Sequence, residues 1–112
     1  MAAKFVIKQG SNGQFHFNLL AGNGQIVLSS EMYKTKSAVE NGIESVKKNS
    51  GDDARYERKT AKDDSPYFVL KATNGQEIGR SQMYKSASAM ENGIESVKTN
   101  AASAEITDES SK

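Results

Sequence analysis

Residues 32–47, MYKTKSAVENGIESVK, return as residues 83–98, MYKSASAMENGIESVK, with thirteen of sixteen positions identical at a constant offset of 51. A duplication of this length indicates two copies of one supersecondary unit. Half of a 112-residue chain is close to the lower size limit for independent folding. We therefore predict a single domain, residues 1–108, made of repeat one (1–52) and repeat two (53–108), with a disordered tail at residues 109–112.

The duplicated stretch has the period of an amphipathic helix. Apolar residues recur at spacings of four and three, which places them on one helical stripe: Val39, Ile43 and Val46 in repeat one, and Met90, Ile94 and Val97 in repeat two. Thr35 is the favoured N-cap of the first helix, and Ser37 with Glu40 offers an alternative capping box.

Gly42 and Gly93 lie at the edges of the two stripes. Glycine inside a helix costs about 1 kcal/mol relative to alanine, so some other feature has to favour it. We expect close packing of the helix against the sheet or the sister helix. A notch that admits a partner is the alternative.

Segments with strand composition flank each helix. In repeat one they are residues 4–8, 14–20 and 25–29, separated by Asn-Gly pairs that predict tight type I′ hairpins. In repeat two they are residues 55–59, 67–72 and the segment around Ile78, with a longer polar loop predicted at residues 62–66. Arg58 replaces Ile7 and predicts a more exposed strand. A short last strand is expected at residues 105–108.

Each repeat alone would expose sheet edges and half a core. The predicted fold is therefore α+β, with tandem β-β-β-α(-β) repeats joined edge to edge into one antiparallel-type sheet. Both helices cover the same face of that sheet. The expected product is a monomer with internal pseudo-two-fold symmetry.

The order of motifs in each repeat is an Asn-Gly-Gln turn, then Met-Tyr-Lys, then Ser-Ala and ENGIESVK. This pattern resembles the YegP-like family of small uncharacterised bacterial proteins, in its two-repeat form, over about nine tenths of the chain. The resemblance implies β-β-β-α-β motifs in one sheet, with the closing strand of each motif exchanged into the other, at residues 55–59 and 105–108. No catalytic or ligand-binding residues are established for that family, so the resemblance implies a fold and leaves the function open.

Composition narrows the classes of function. Fifteen Lys and Arg against fourteen Asp and Glu give a formal net charge of +1, so no strong overall field attracts nucleic acid or anionic membrane. The chain has no cysteine, and no His, Asp and Glu cluster has recognisable metal-ligand spacing, so neither a metal nor a cofactor is predicted. The apolar run at residues 5–7 is too short for a membrane span or signal sequence, and a cytoplasmic location is expected.

The two helix starts are the first candidate sites, because hydroxyls and a cation lie beside free backbone N–H groups that could hold an anion. Ordinary capping explains the same hydroxyls and is the favoured interpretation. No glycine-rich phosphate loop precedes either helix. The candidate ligand-binding residues are Tyr33, Lys34, Thr35 and Ser37 in repeat one, and Tyr84, Lys85, Ser86 and Ser88 in repeat two.

The sheet face away from the helices is the second candidate, because strand alternation places cations and a few rings on it. Those residues are Lys4, Val6, Lys8, His16, Asn18 and Leu20 in repeat one, and Arg55, Glu57, Lys59, Tyr67, Val69 and Lys71 in repeat two. Lys4, Lys8, His16, Tyr67 and Lys71 are the candidate binding residues. Single-stranded nucleic-acid platforms carry more aromatics and a clearer basic excess, so a solvated or protein-docking face is favoured.

Catalysis is disfavoured. His16 is the single histidine, and Tyr67 replaces it in repeat two, while Glu40 and Glu91 are interpreted as capping partners. We predict a non-enzymatic interaction module that binds another macromolecule or a small ligand. The alternatives are a weak nucleic-acid binder that uses the open sheet face, and a catalyst with equivalent sites around Tyr33 and Tyr84.

Overall fold

The computed structural model describes residues 3–109, which form an α+β fold as predicted from the repeats. The first repeat supplies β1 (Lys4–Gln9), β2 (Phe15–Leu20), β3 (Ile26–Ser29) and α1 (Lys36–Asn49). A 3₁₀ turn at Asp53–Arg55 leads to β4 (Tyr56–Thr60), β5 (Pro66–Lys71), β6 (Glu77–Arg80) and α2 (Ala87–Asn100). A second 3₁₀ turn, Ala101–Ser103, precedes the predicted last strand, β7 (Glu105–Asp108).

All seven strands lie in one sheet, in the order β4-β5-β6-β3-β2-β1-β7. The predicted antiparallel pairing applies to every neighbouring pair except β1 and β7, which run parallel, with Phe5 opposite Ile106 and Ile7 opposite Asp108. The sheet is therefore mixed. Strand β6, which precedes α2, runs opposite to β1, and the chain reverses direction across α2, so β7 runs parallel to β1.

The two repeats meet at the centre of the sheet, where Ser29 of β3 pairs with Arg80 of β6. These residues occupy the same position in their repeats, 51 residues apart, so the pseudo-two-fold axis passes between them. Hydrogen bonding across this seam is confined to one bridged pair among residues 3–109. The helices supply the rest of the connection, because α1 packs on β2, β5 and β6 while α2 packs on β5 and β3.

A single hydrophobic core lies between the sheet and the helices and draws on both repeats. The two helical stripes are buried in it, including Ile43, Val46, Ile94 and Val97. The largest side chains that the sheet contributes are fully buried as well: Phe5, Ile7, Phe17, Leu19, Leu28, Phe68 and Leu70. Neither repeat encloses a core of its own, so the two repeats stabilise each other.

Leu28 and Gly79 occupy equivalent positions next to the pseudo-two-fold axis, 51 residues apart. A Cβ atom on Gly79 would lie 2.7 Å from Cδ2 of Leu28 and 2.8 Å from its Cγ. Side chains on opposite sides of an axis approach each other closely, and here one leucine occupies the space that two would need.

The hairpin loops correct two sequence-based predictions. Residues 61–65 match residues 10–14 in length and hydrogen bonding, so the predicted longer loop is wrong. Asp64 adopts a φ of 70° where Gly13 has 82°, and Asp tolerates this left-handed conformation better than most residues. Type I′ turns need positive φ at both central residues, but Asn12 lacks it, so that prediction is also wrong. Asn12 instead accepts the Gln14 N–H through its side-chain oxygen.

The exchange implied by the family resemblance occurs for β7, which crosses from repeat two to pair with β1. Strand β4 pairs with β5 in the register that β1 has with β2, so that Arg58 lies opposite Phe68 as Ile7 lies opposite Phe17. It thus takes the place of β1 in repeat two. Within residues 3–109, no strand pairs with the outer side of β4.

Of the predicted tail, residues 110–112 lie outside the described residues. Glu109 extends the pairing of β7, because its N–H donates to the Ile7 carbonyl at 2.8 Å. Neither 14-residue helix of the described chain has the length and hydropathy that a membrane crossing requires.

Candidate functional site

The hydroxyls at the helix starts cap the helices. Thr35 Oγ1 accepts the Ala38 N–H at 3.0 Å, and Ser86 Oγ accepts the Ala89 N–H at 3.1 Å. Thr35 is the N-cap that the sequence favoured, and Ser37 and Ser88 lie in the first turns with exposed side chains. The Lys34 and Lys85 side chains are exposed too. One free N–H at each helix start is therefore already satisfied by the protein itself.

The rings of Tyr33 and Tyr84 lie along the helices. A Cβ on Gly42 would be 2.5 Å from the Tyr33 hydroxyl and 2.8 Å from its Cζ, and Gly93 meets Tyr84 in the same way. Each ring also stacks on a core phenylalanine, with Tyr33 6.4 Å from Phe17 between ring centroids. Gly42 lies six residues, or about 9 Å, beyond the start of α1. The tyrosine hydroxyls thus lie over the two glycines, away from the free N–H groups.

Gly42 and Gly93 are accordingly sites of close packing. Each contacts the tyrosine of its own repeat and a phenylalanine of the sheet. Burial raises the pKa of both tyrosines, with Glu31 adding to the effect at Tyr33, so their hydroxyls stay protonated at neutral pH.

The open sheet face of repeat two is covered by paired charges. Glu57 lies 2.6 Å from Lys71 and 3.8 Å from Lys59, and the hydrogen bond from Lys71 lowers the pKa of the Glu57 carboxyl. The Arg80 guanidinium lies 5.8 Å from the centre of the Tyr67 ring and pairs with Glu77 at 3.3 Å. Beneath these side chains Val69 is fully buried. Tyr67 and Lys71, two of the predicted binding residues, are therefore engaged within the protein.

The open face of repeat one differs. Val6 and Ile26 stand where repeat two has Glu57 and Glu77, so the two acids that neutralise the cations of repeat two are absent. Lys4 and Lys8 are exposed and make no ion pair within residues 3–109. A depression of about 200 Å³ runs between them, lined by Lys4, Val6, Lys8, Asn18, Leu20, Gly24, Ile26 and Glu109. We call these residues the Lys4–Lys8 face.

His16 lies opposite Lys8 in the β1–β2 register. Its Nδ1 is buried and has no hydrogen-bond partner among the described residues, so no carboxylate orients the imidazole there. Arg55, which the sequence placed on this sheet face, belongs to the 3₁₀ turn before β4 and pairs with Asp52 at 3.5 Å. The described residues also contain no group of three His, Cys, Asp or Glu side chains that could hold a metal ion.

The outer edge of β4 carries a cluster that sequence reasoning missed. Arg58 binds both oxygens of Glu91, through Nε at 2.5 Å and Nη2 at 3.0 Å, and reaches Asp53 at 3.2 Å. Lys98 meets the same Asp53 oxygen at 2.6 Å, and the pKa of Asp53 is lowered by Lys98 first and by Arg58 next. Glu91 is therefore an ion-pair partner, and its interpretation as a capping residue is wrong. The replacement of Ile7 by Arg58 was visible in the sequence, but its partners are 5 and 33 residues away.

Comparison with known proteins gives no activity. The sequence model of a domain of unknown function (DUF1508) matches the chain twice, at residues 11–57 and 61–108. A UPF0339 protein of Acinetobacter baylyi is 56% identical over 108 residues, covering 96% of this chain and 97% of the relative. The UPF0339 protein YegP of Yersinia pestis is 53% identical over 104 residues, covering 93% of each chain.

Two solution NMR structures share the fold. The UPF0339 protein SO3888 of Shewanella oneidensis superposes with a TM-score of 0.94 at 49% identity, covering 100% of this chain and 95% of that one. The protein of unknown function yegP from E. coli gives a TM-score of 0.94 at 47% identity, covering 100% and 97%. With two matches to one domain model and close relatives along its whole length, the chain belongs to the DUF1508 domain family, among the UPF0339 proteins that include YegP.

Proposed function

We propose that the protein is a non-enzymatic interaction module that binds a partner protein through the Lys4–Lys8 face. The observation that carries the proposal is the contrast between the two repeats at equivalent positions. In repeat two, Glu57 and Glu77 pair with the neighbouring cations. In repeat one, Lys4 and Lys8 make no ion pair within residues 3–109 and flank an apolar strip of Val6, Leu20 and Ile26.

The chemistry of this face favours a partner with an acidic group on either side of an apolar side chain. Two lysines attract carboxylates, and the acids of the chain nearest to them are Glu105, opposite Lys4 in the β1–β7 register, and Glu109, which lines the depression. Ile26 is 41% exposed and lies opposite the partly exposed Leu20, so the two side chains offer a partner an apolar contact. A volume of about 200 Å³ lies below the range of typical small-molecule pockets, so we favour a protein surface over a small ligand.

Titration of the labelled protein with a short peptide of alternating glutamate and leucine tests the proposal. We expect amide shifts confined to residues 4–8, 18–20 and 26, and saturation in the micromolar to millimolar range. Ile26→Glu introduces the residue that repeat two carries at this position, and should weaken binding at least tenfold. Gln76→Glu, which adds the same charge in an exposed loop outside the face, is the matched control and should bind normally. Shifts centred on another surface, or binding indifferent to Ile26→Glu, would refute the proposal.

Nucleic-acid binding remains the alternative, and Lys4, Lys8 and His16 are the residues that would serve it. Its support is weaker, because Tyr67 and Lys71 of the predicted platform are engaged with Arg80 and Glu57. A ten-nucleotide thymidine strand that shifted the same amides more strongly than the peptide, with affinity falling steeply between 50 and 200 mM salt, would favour nucleic acid.

We also propose that the protein acts as a monomer in the cytoplasm, as predicted from its sequence. The mutual completion of the core by the two repeats supports a monomer, because neither repeat leaves the core open for a second chain. Size-exclusion chromatography with light scattering checks the oligomeric state, and fractionation of cells that express the native protein checks the compartment.

A further inference from the structure

The two ends of the sheet should be alike by the internal symmetry, but they are not. Strand β1 carries β7 on its outer side, while β4, which takes the place of β1 in repeat two, carries no strand there within residues 3–109. The parallel β1–β7 pair therefore shows, within the same molecule, how a strand could pair with the outer edge of β4.

The backbone groups of β4 are oriented for such a pairing. Phe68, which lies opposite Arg58, directs its N–H to Ser81 Oγ and its carbonyl to the Ser81 N–H, both on the β6 side. Two residues opposite each other in an antiparallel pair direct their backbone N–H and C=O groups either both towards the partner strand or both away from it. Because those of Phe68 point away from β4, those of Arg58 point away from β5, towards the open edge. The equivalent carbonyl of Ile7 also points outward, and it accepts the Glu109 N–H at 2.8 Å.

The side chains at this edge indicate which strand would fit. On β1, an apolar residue, Ile106, lies opposite Phe5, and an acid, Asp108, lies opposite Ile7 and pairs with Lys36 at 2.6 Å. On β4, Tyr56 and Arg58 take the positions of Phe5 and Ile7. An acid opposite Arg58 would meet the cationic groups of Arg58 and Lys98, which converge on Asp53, and would share Arg58 with Glu91.

We propose that the outer edge of β4 accepts an extended acidic segment of a partner protein as an eighth strand, parallel to β4, with an apolar residue opposite Tyr56 and an acid opposite Arg58. Asp53 contacts both cations when the edge is empty and competes with the incoming acid for them, while Glu91 holds the other side of Arg58. In repeat one the residue equivalent to Asp53 is Ala104, which is buried and carries no charge, and there β7 is in place. The edge is therefore a docking site with an internal competitor, separate from the Lys4–Lys8 face.

The chain supplies its own probe, because residues 104–109, AEITDE, form the segment that docks on β1. We expect this hexapeptide, blocked at both ends, to bind the full-length protein in the millimolar range and to shift the amides of residues 56–60. Asp53→Ala, which installs the residue that repeat one has, should lower the dissociation constant about threefold, because it frees Lys98 and removes the Asp53 contact of Arg58, while Glu91 stays paired with Arg58. The peptide AQITNQ, in which amides replace the acids, should bind at least fivefold more weakly.

Arg58→Gln removes the charge and keeps much of the side chain, and it should weaken binding of AEITDE without affecting AQITNQ. Because AEITDE also has acids on either side of an apolar residue, the readout is the shift of residues 56–60, which Lys4→Ala with Lys8→Ala should leave unchanged for both peptides, so that this proposal and the proposed function stand or fall separately. Shifts confined to residues 4–8 overturn the proposal. The same holds if no amide shifts occur up to 5 mM peptide, or if Asp53→Ala weakens binding while its unfolding midpoint is unchanged.

Discussion

Substitution of Gly42 by alanine should destabilise the protein although it improves the helix. Alanine gains about 1 kcal/mol over glycine in a helix interior. Against this, the new Cβ would lie 2.5 Å from the Tyr33 hydroxyl, 2.8 Å from its Cζ and 3.2 Å from Phe17. Either the contact is compressed, which costs about 1–3 kcal/mol in a packed core, or the Tyr33 ring is expelled.

Expulsion of the ring sets the upper limit of that cost. The ring would lose its stacking on Phe17, worth about 0.5–1.5 kcal/mol, together with the burial of a half-buried side chain, worth about 1 kcal/mol. The gross cost is thus about 1.5–2.5 kcal/mol. The expected net loss of unfolding free energy is about 0.5–1.5 kcal/mol, after the gain in helix propensity.

Urea unfolding followed by circular dichroism measures this loss, with the midpoint as the readout at constant slope. In a Tyr33→Ala background the same glycine substitution should become neutral or stabilising, because the clashing ring is gone. Asn41 precedes Gly42 in the helix and is exposed, so Asn41→Ala is the control for helix propensity alone. It should raise the free energy of unfolding by a few tenths of a kcal/mol. A Gly42→Ala protein as stable as wild type would refute the argument that Tyr33 requires this glycine.

Three further predictions concern the core and the join between repeats. Gly79→Ala should cost about 1–3 kcal/mol by urea unfolding, because the new methyl group meets Leu28, and should cost less in a Leu28→Ala background. Burial is the main cause that raises the pKa of the Tyr56 hydroxyl, and the negative charges of Asp53 and Glu95 raise it further. The unfolded chain therefore loses this proton at a lower pH than the native protein does, and the free energy of unfolding should fall as pH rises above about 10. Tyr56→Phe should flatten this fall between pH 10 and 11, and should itself cost about 1 kcal/mol through the lost hydrogen bond to the Ser50 carbonyl. Residues 1–52 and 53–112, expressed separately, should each lack a cooperative thermal transition by calorimetry, and a folded monomeric half would contradict the shared core.

Periodicity was enough to predict the helices, the strands and the α+β class, whereas the hairpins were predicted from Asn-Gly pairs and their turn type was wrong. The stripe from Val39 to Val46 has helical spacing, and the alternation in β2 places Phe17 and Leu19 on one face, so local pattern and burial agree. Sequence equivalence between the repeats also predicted β7. Its parallel pairing with β1 was not accessible, because strand order depends on how the helix crosses the sheet and not on local composition.

The candidate binding site was harder to predict from the sequence than the fold, for a physical reason. Strand alternation places Lys4, Lys8, Tyr67 and Lys71 on one face, but does not show which cations are neutralised by neighbouring strands. That depends on cross-strand pairs such as Glu57 with Lys71, which require the register. The glycines illustrate the same limit: their cost in a helix indicated close packing, whereas the tyrosine that rests on each comes from the preceding loop.

The leucine that crosses the central seam has an evolutionary consequence. Freshly duplicated copies carry the same side chain at both positions, and a leucine in each would collide there, whereas a glycine in each would leave a void. The difference at this one position makes the two repeats complementary across the seam, because residue 79 has no room for a second leucine. Two identical copies of repeat one would therefore need a smaller side chain at residue 28 to meet in this arrangement.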